Sequence, residues 1–547
     1  MPYNYIKPII TPEQAKSTLV NFKDRKFRKY QEKTIEYITN SSKKFCVVRS
    51  PCGSGKSLIA MVSGLIYNEC TYLVQSKFLQ NQITGDFPEA VSIFGKNNYN
   101  CENNPPRSCD ECLASKAQPC SYECPYKTAK QRALESKLKI LNFSYYILEC
   151  QYSGRFAGSK FAVIDEADSL SDVLTQQVSL IFTERSLYRL NLENGPKFKT
   201  SSAKDGINSW IDFANEALYK SKNIYEQLQL EINLMDSDNQ DYKLQKIREM
   251  KHFIGIAERC EIFLKNVDKD WRMEEVPRQG SRQGQLIFKP IWITPELADS
   301  FMWNNSQKWV LLSATYPPIS VLCKQLGIDI DDVEDRKIYD VPSTFDPENA
   351  PVYVWPVASL GADRMNTETP KIINAVKKIL ERHPNNRGLI HCVSYKLGKE
   401  IVNGVKSNRL ILHDSSNRQE ILDMFANKNK PIIDNKVLVS PSAERGIDLA
   451  DDLCRFIIII KAPFKYLGDK VVSARVHGGG EIGKLWYISD MMGNVEQMCG
   501  RGVRSKSDYC SIYLLDQKIE DIYTSKPSLW SNSFNKQISW EDNKLIQ

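Results

Sequence analysis

Long apolar runs are missing from this chain of 547 residues. The longest, residues 456–460, is one strand long, against the roughly 20 residues a bilayer-spanning helix needs, so no membrane contact is expected. The N-terminus, Met1-Pro2-Tyr3-Asn4, lacks the basic-then-apolar pattern of a secretory signal. The expectation is an intracellular protein, of the cytoplasm or of the nucleoid or nucleus. Charge of one sign is scarce: 73 Lys+Arg against 66 Asp+Glu leave a formal +7. That balance permits a nucleic-acid partner without demanding one. No internal repeat of solenoid period is present, and 42% hydrophobic with 25% charged residues excludes a wholly disordered or fibrous chain. At roughly 150 residues per domain the length suggests three to four domains.

Cysteine is plentiful instead, with 15 in all, five of them (Cys101, Cys109, Cys112, Cys120 and Cys124) crowded into one short segment. An odd count without a secretory signal speaks against a disulfide framework, and a local cluster points to a metal or iron–sulfur site. Four thiolates satisfy either a [4Fe–4S] cluster or tetrahedral zinc. The five histidines, His252, His383, His391, His413 and His477, all lie elsewhere, so the site would be all-sulfur. The compact spacing Cys109-x2-Cys112-x7-Cys120-x3-Cys124 suits a zinc knuckle as well as an iron–sulfur centre. Free buried thiols are the bland reading, and the polar surroundings argue against it.

Residues 45–49 read as a strand, followed by Ser50-Pro51-Cys52-Gly53-Ser54-Gly55-Lys56-Ser57 and then a helix start. Strand, glycine loop, Gly-Lys-Ser and helix form the context of a phosphate-binding loop. Gly53 and Gly55 let the backbone curl its N–H groups toward phosphate oxygens, and the helix N-terminus adds partial positive charge. Lys56 would neutralise the β- and γ-phosphates and Ser57 would hold Mg²⁺. A second strand, residues 161–164, runs into Asp165-Glu166-Ala167-Asp168. Asp165 can reach Mg²⁺ through its water shell, and Glu166 can orient the attacking water or take its proton. An acidic helix N-cap is the plainer reading of the carboxylates, and it loses force beside a P-loop.

Elsewhere, residues 96–130 are rich in Asn, Pro and Cys with little periodicity. From about 205 to 267 two amphipathic helices flank the turn 236–239, one with Ile207, Trp210, Ile211, Ala214 and Leu218 on a face. The other carries Ile247, Met250, Ile254, Ala257 and Leu264, and the pair predicts an antiparallel hairpin. From 309 onward strands alternate with helices, which predicts a second parallel α/β layer structure.

Asp165-Glu166-Ala167-Asp168 resembles motif II of superfamily 2 helicases, and Ser313-Ala314-Thr315 resembles motif III. Ser442-Ala443-Glu444-Arg445-Gly446-Ile447-Asp448-Leu449 is similar to motif V, and Gln497-Met498-Cys499-Gly500-Arg501-Gly502-Val503-Arg504 to motif VI. Arg28-x-x-Gln31 is similar to the N-terminal motif that reads adenine. The motifs stand in family order over nearly the whole chain. The run from Gly95 to Cys101, followed by Cys124-Pro125-Tyr126 and Leu141-Asn142-Phe143-Ser144-Tyr145, resembles the cysteine-rich insertion of the XPD/DinG DNA helicases.

That resemblance implies two RecA-like P-loop motor domains, with an iron–sulfur insertion and a helical arch in the first. It divides the chain into motor one at 1–95, 140–172 and 297–345, a cysteine-rich domain at 96–139, an arch at 173–296 and motor two at 346–547. It implies ATP, Mg²⁺ and a [4Fe–4S] cluster as cofactors. Arg28, Gln31, Gly53, Ser54, Gly55, Lys56, Ser57, Asp165, Gly446 and Asp448 would bind the nucleotide. Lys56, Asp165, Glu166, Gln497, Arg501 and Arg504 would carry the chemistry, the arginines as cis fingers. Cys101 and Cys124 would be the outer cluster ligands, with Cys112 and Cys120 inside and Cys109 the alternative to Cys112. The implied activity is a monomeric, ATP-dependent helicase moving 5′→3′ on single-stranded DNA and opening forked duplexes. Gln75-Ser76-Lys77 and Ser394-Tyr395 are candidate DNA contacts, and Trp210, Trp271, Trp303 and Tyr316 are candidate base stackers or core. The literal Asp-Glu-Ala-Asp keeps a DEAD-box RNA-dependent ATPase as the alternative, beside a zinc-containing nucleic-acid scaffold. Two positions depart from the family: Asp168 where His is usual in motif II, and Ser50 at the first P-loop glycine.

Overall fold

The computed structural model describes the chain except residues 1–5, 52, 103–106, 113–122, 198, 236–239, 279, 281, 362, 415, 427–433, 442–448, 450, 504–506 and 540–547. Two seven-stranded parallel sheets dominate it. Across the first, the strands run Tyr339–Asp340, Phe45–Arg49, Ser306–Ser313, Ser159–Asp165, Cys70–Val74, Leu138–Asn142 and Val91–Ser92. All neighbours are parallel. Their inner strands read as unbroken apolar runs, because helices cover both faces of a parallel sheet. One hydrophobic cluster, with Val47, Ile164 and Leu311, fills one face, and another, with Val48, Val163 and Leu312, fills the other.

The second sheet runs Leu410–Leu412, Val437–Ser440, Gly388–His391, Phe456–Ile459, Ser511–Asp516, Val352–Ala358 and Ile538–Ser539, again parallel. Both sheets answer to the strand–helix alternation of the sequence. In each, the strand ends that carry motifs lie on the carboxyl edge, where open α/β sheets place their ligands.

Between the motif II and motif III strands the chain leaves the first sheet. It builds the helices Ala203–Leu234 and Gln240–Asn266 against an antiparallel sheet of Leu180–Thr183, Gln285–Pro290 and Trp271–Val276. The helical hairpin was expected and the small sheet was not. Its signal is nonetheless in the sequence: residues 271–276 and 285–290 alternate buried and part-exposed side chains with period two. In the second helix the buried residues are Leu244, Phe253, Ile256, Ala257, Cys260 and Phe263; of the face read off the sequence Ala257 is buried and Met250 and Leu264 pack part-buried against the insertion's core. Trp210, Trp271, Trp303 and Tyr316 are all core residues with at most 6% exposure, so none is available to stack on a base.

Two contacts tie this insertion down. On one flank it meets the cysteine segment through Arg107–Asp241 at 2.5 Å, Lys251–Asp110 at 3.3 Å and Arg248–Glu111. On the other, Arg475 of the second sheet unit reaches across, with its guanidinium 4.6 Å from the ring centres of both Trp292 and Trp486. Its Nε donates to the Ile291 carbonyl at 2.6 Å, and burial pushes its pKa down to about 10. Lys289–Asp469 at 2.7 Å lies beside it.

Candidate active site

The strand Phe45–Arg49 ends at the glycine loop, and the helix Lys56–Ile66 begins at Gly55. Gly53 and Gly55 both have positive φ, 76° and 83°, conformations that side-chain-bearing residues rarely adopt. The helix is buried almost all round, so its N-terminal N–H groups are fixed at the loop. Ser50, in place of the usual first glycine, bonds Ser54 hydroxyl to hydroxyl at 2.7 Å and so closes the loop on itself. The Lys56 ammonium reaches back to the Ser50 carbonyl at 3.3 Å.

The predicted adenine-reading pair sits on the same loop. Arg28 donates from its guanidinium to the Gly53 carbonyl at 2.9 Å, and Gln31 donates to the Ser54 carbonyl at 2.9 Å. The Arg28 backbone N–H in turn donates to the Gln31 side-chain oxygen at 2.8 Å. The helix Gln31–Asn40 that carries Gln31 is anchored at its far end by Lys308, a fully buried ammonium that donates to the Ser41 carbonyl at 2.9 Å. Burial holds the Lys308 pKa below its ordinary value.

Motif II follows the strand Ser159–Asp165. The Tyr72 hydroxyl donates to Asp165 Oδ2 at 2.8 Å and is also hydrogen-bonded to Ser57. One phenol therefore joins the P-loop serine to the motif II carboxylate, the two groups expected at a Mg²⁺ ion. Burial, and then the Asp165 charge, drive the Tyr72 pKa far up, so it stays a donor. Both groups bonded to the phenol are hard oxygen donors, the chemistry that Mg²⁺ favours. Glu166 adopts a left-handed conformation, φ 54°, which turns its side chain out of the strand line. Asp168 Oδ1 accepts from the Ser313 hydroxyl at 2.6 Å, so motifs II and III are joined through the residue where the family usually has His.

The helix Gly480–Cys499 brings motif VI from the second sheet unit. Gln497 Nε2 donates to Thr315 Oγ1 at 3.1 Å, linking motif VI to motif III. Arg501, 8% exposed, lies close to the buried His391, whose ring its charge helps keep neutral. Arg504, Gly446 and Asp448 fall outside the described residues.

The two candidate DNA-contact hydroxyls cap helices: Ser76 accepts from Leu79 N and Ser394 from Leu397 N. Lys77 is bonded to Asn98 at 2.6 Å, and Tyr395 packs edge-on against His413. Tyr72, Ser313 and Thr315 were not singled out for these bonds. Tyr72 sits in an apolar strand and reaches Asp165 only through strand pairing, Tyr72 opposite Val163.

In the cysteine segment, Cys109 and Cys124 sulfurs lie 3.9 Å apart. Cys101 packs against the same cluster, near enough to raise the Cys109 pKa together with burial and Cys124. Cys109, the alternative to Cys112 in the expected set, is thus the cysteine beside Cys124, while Cys112 is exposed and Cys120 falls outside the described residues. Among the described residues no three His, Cys, Asp or Glu side chains already form a metal-holding group.

Residues 376–533 match the model of the helicase C-terminal domain family. The chain is 22% identical over 528 aligned positions to the ATP-dependent DNA helicase YoaA of Haemophilus influenzae, covering 84% of this chain and 77% of that protein. It is 24% identical over 287 positions to the ATP-dependent DNA helicase DinG of Photobacterium profundum, covering 47% and 40%. Among solved structures, an XPD helicase superposes with TM-score 0.59 at 16% identity, over 94% of this chain and all of that one, a likeness of fold.

Proposed function

We propose that this chain is an XPD/DinG-like helicase of superfamily 2, an ATP-driven motor that moves 5′→3′ on single-stranded DNA and unwinds duplex. The observation that carries the reading is the arrangement of a P-loop and an acidic strand end in one sheet, joined to motif VI of the other through the Thr315–Gln497 bond.

Lys56 draws the β- and γ-phosphates onto the loop, and the backbone N–H groups at the helix start hold them there. Ser57 and Asp165 would hold Mg²⁺, which supplies charge neutralisation at the transferring phosphate. Glu166 orients the attacking water and accepts its proton. Arg501 and Arg504 would stabilise the charge that develops in the transition state. Nucleotide binding draws the sheets together and release lets them part, which advances the strand held across both.

The cysteine segment fits a cluster in its chemistry, since its donors are thiolates only. We assign Cys101, Cys109 and Cys124 to a [4Fe–4S] cluster, with the fourth thiolate from Cys112 or Cys120. The cluster would cross-link a segment whose sequence has little periodicity, a structural role.

The test is unwinding of 5′-tailed, 3′-tailed and forked duplexes, with ATPase measured against single-stranded DNA and RNA. The expected result is DNA-stimulated hydrolysis, abolished in Lys56→Ala, with unwinding from 5′ tails. Stimulation by RNA alone would favour the DEAD-box reading, and equal opening of both tails would remove the polarity.

A further inference from the structure

The helical insertion leaves motor one through the helix Leu170–Val178 and returns through residues 291–294 to the helix Pro295–Phe301. Both helices pack in the core of the first sheet. The insertion therefore has two necks, and the second sheet unit holds both of them.

On the entry side, Lys465 Nζ lies 3.6 Å from Asp172 Oδ2 and 3.4 Å from Asp490 Oδ1. The Tyr487 hydroxyl donates to the Lys465 carbonyl at 3.1 Å and steadies the loop that carries it. On the exit side, Arg475 donates to the Ile291 carbonyl and lies over the rings of Trp292 and Trp486. Those two indoles meet edge to face, 5.9 Å between centres. The hold on the cysteine segment is weaker in kind, three ion pairs with at least one exposed partner each.

Trp486, Tyr487 and Asp490 belong to the helix Gly480–Cys499, which also carries Gln497 and leads to Arg501. At about 1.5 Å per residue, Trp486 and Gln497 stand about 16 Å apart along it. The helix Lys470–Gly478, which carries Arg475, abuts this one closely. A β-carbon on Gly483 would stand 1.7 Å from the Arg475 carbonyl oxygen, so the contact requires glycine. The grip on the necks and motif VI are thus parts of one packed helical pair, and a rigid element of this kind carries a displacement from one end to the other.

We propose that motor two drives the insertion: Arg475 and Lys465 are positioning residues that pass the nucleotide-dependent movement of motif VI to the two necks, so that the insertion turns with motor two against motor one. The inference rests on the motor reading above and deepens it, because it names the route by which the ATP cycle reaches a part of the chain outside both sheets.

The test places fluorescent labels, introduced as non-natural amino acids, at the exposed positions Glu36 in motor one, Tyr219 in the insertion and Lys377 in motor two of the full chain. Energy transfer between pairs of labels is read without nucleotide and with ADP-beryllium fluoride, single-stranded DNA being present throughout. Transfer between motor one and the insertion is expected to shift with nucleotide, and transfer between motor two and the insertion to stay constant. In Arg475→Lys and Lys465→Gln the shift is expected to shrink. In both variants DNA-stimulated ATPase is expected to hold, while duplex unwound per ATP hydrolysed falls about fivefold, the size of an ordinary lost coupling. An insertion that keeps its distance to motor one and changes its distance to motor two would overturn the proposal. So would variants that unwind as much per ATP as the wild type, or variants whose ATPase and unwinding fall in step, the mark of a merely structural role. No nucleotide-dependent change between Glu36 and Lys377 would instead overturn the motor reading itself.

Discussion

The Gln497 amide and the Thr315 hydroxyl are 3.1 Å apart, one on each motor. Thr315 also follows Ser313, whose hydroxyl donates to Asp168, so the line from motif II to motif VI runs Asp168, Ser313, Thr315, Gln497. Thr315→Val removes the hydroxyl and keeps the shape. The expected outcome is a DNA-stimulated kcat lower by about five- to tenfold, the worth of one hydrogen bond, with KM for ATP little changed. Thr315→Ser should retain most of the rate. Steady-state ATPase assays with and without single-stranded DNA check both.

Stability should fall in mild acid. His391 is fully buried, and burial together with the Arg501 charge pushes its pKa down to about 3. In the unfolded chain the same ring takes up a proton near its ordinary value of about 6.5. Between those limits the unfolded state binds more protons, so stability declines as pH drops from about 6.5 toward 3 and is untouched above that window. His252 and His383 shift in the same direction through burial. His391→Gln should shrink the difference between urea midpoints measured near pH 7.5 and near pH 5; an undiminished difference would clear His391 of the effect.

Arg475 holds two structural units together from within. Truncating it to Ala removes the partner of both Trp292 and Trp486 and leaves a cavity, an expected cost of about 2–5 kcal/mol in urea unfolding. Arg475→Lys keeps the charge and loses the flat guanidinium that lies over two indoles, so it should recover only part of that stability. Both variants keep the P-loop, and nucleotide affinity should stay near wild type.

Anaerobically purified protein should be brown, absorb near roughly 400 nm and contain iron and sulfide. Cys109→Ser is expected to lose most of its iron, as are Cys101→Ser and Cys124→Ser. Colourless protein with one zinc per chain would replace the iron–sulfur assignment by a zinc site. Comparing Cys112→Ser with Cys120→Ser by iron content names the fourth ligand.

Much of this was legible where function is written locally. Gly53, Gly55, Lys56 and Ser57 are close in sequence, and so are Asp165 and Glu166, so short-range pattern alone locates the glycine loop and the acidic strand end that the proposed phosphate site uses. The bonds that join those pieces were not legible. Tyr72 touches Asp165 because their strands are neighbours in the sheet, and Thr315 meets Gln497 because two sheets face each other across a cleft. The second insertion helix shows a different limit. Its apolar residues are frequent enough to support more than one face, and the small sheet beneath it selects the stripe of Phe253, Ile256, Cys260 and Phe263. Phe345 looks like any loop aromatic in the sequence; only the fold brings the end of its ring close to Gly53, where a β-carbon would stand 2.2 Å from it.

The two flanks of the helical insertion are fastened by unlike means. Toward the second motor, Arg475 is buried between two indoles and a backbone carbonyl, with the Lys289–Asp469 pair beside it, and salt screens a buried charge little. Toward the cysteine segment, Arg107, Lys251 and Arg248 meet carboxylates at a surface where ions screen charge within about 8–10 Å at moderate salt. The insertion is thus held at one edge by buried contacts and at the other by exposed charge pairs, and added salt weakens the second hold more than the first.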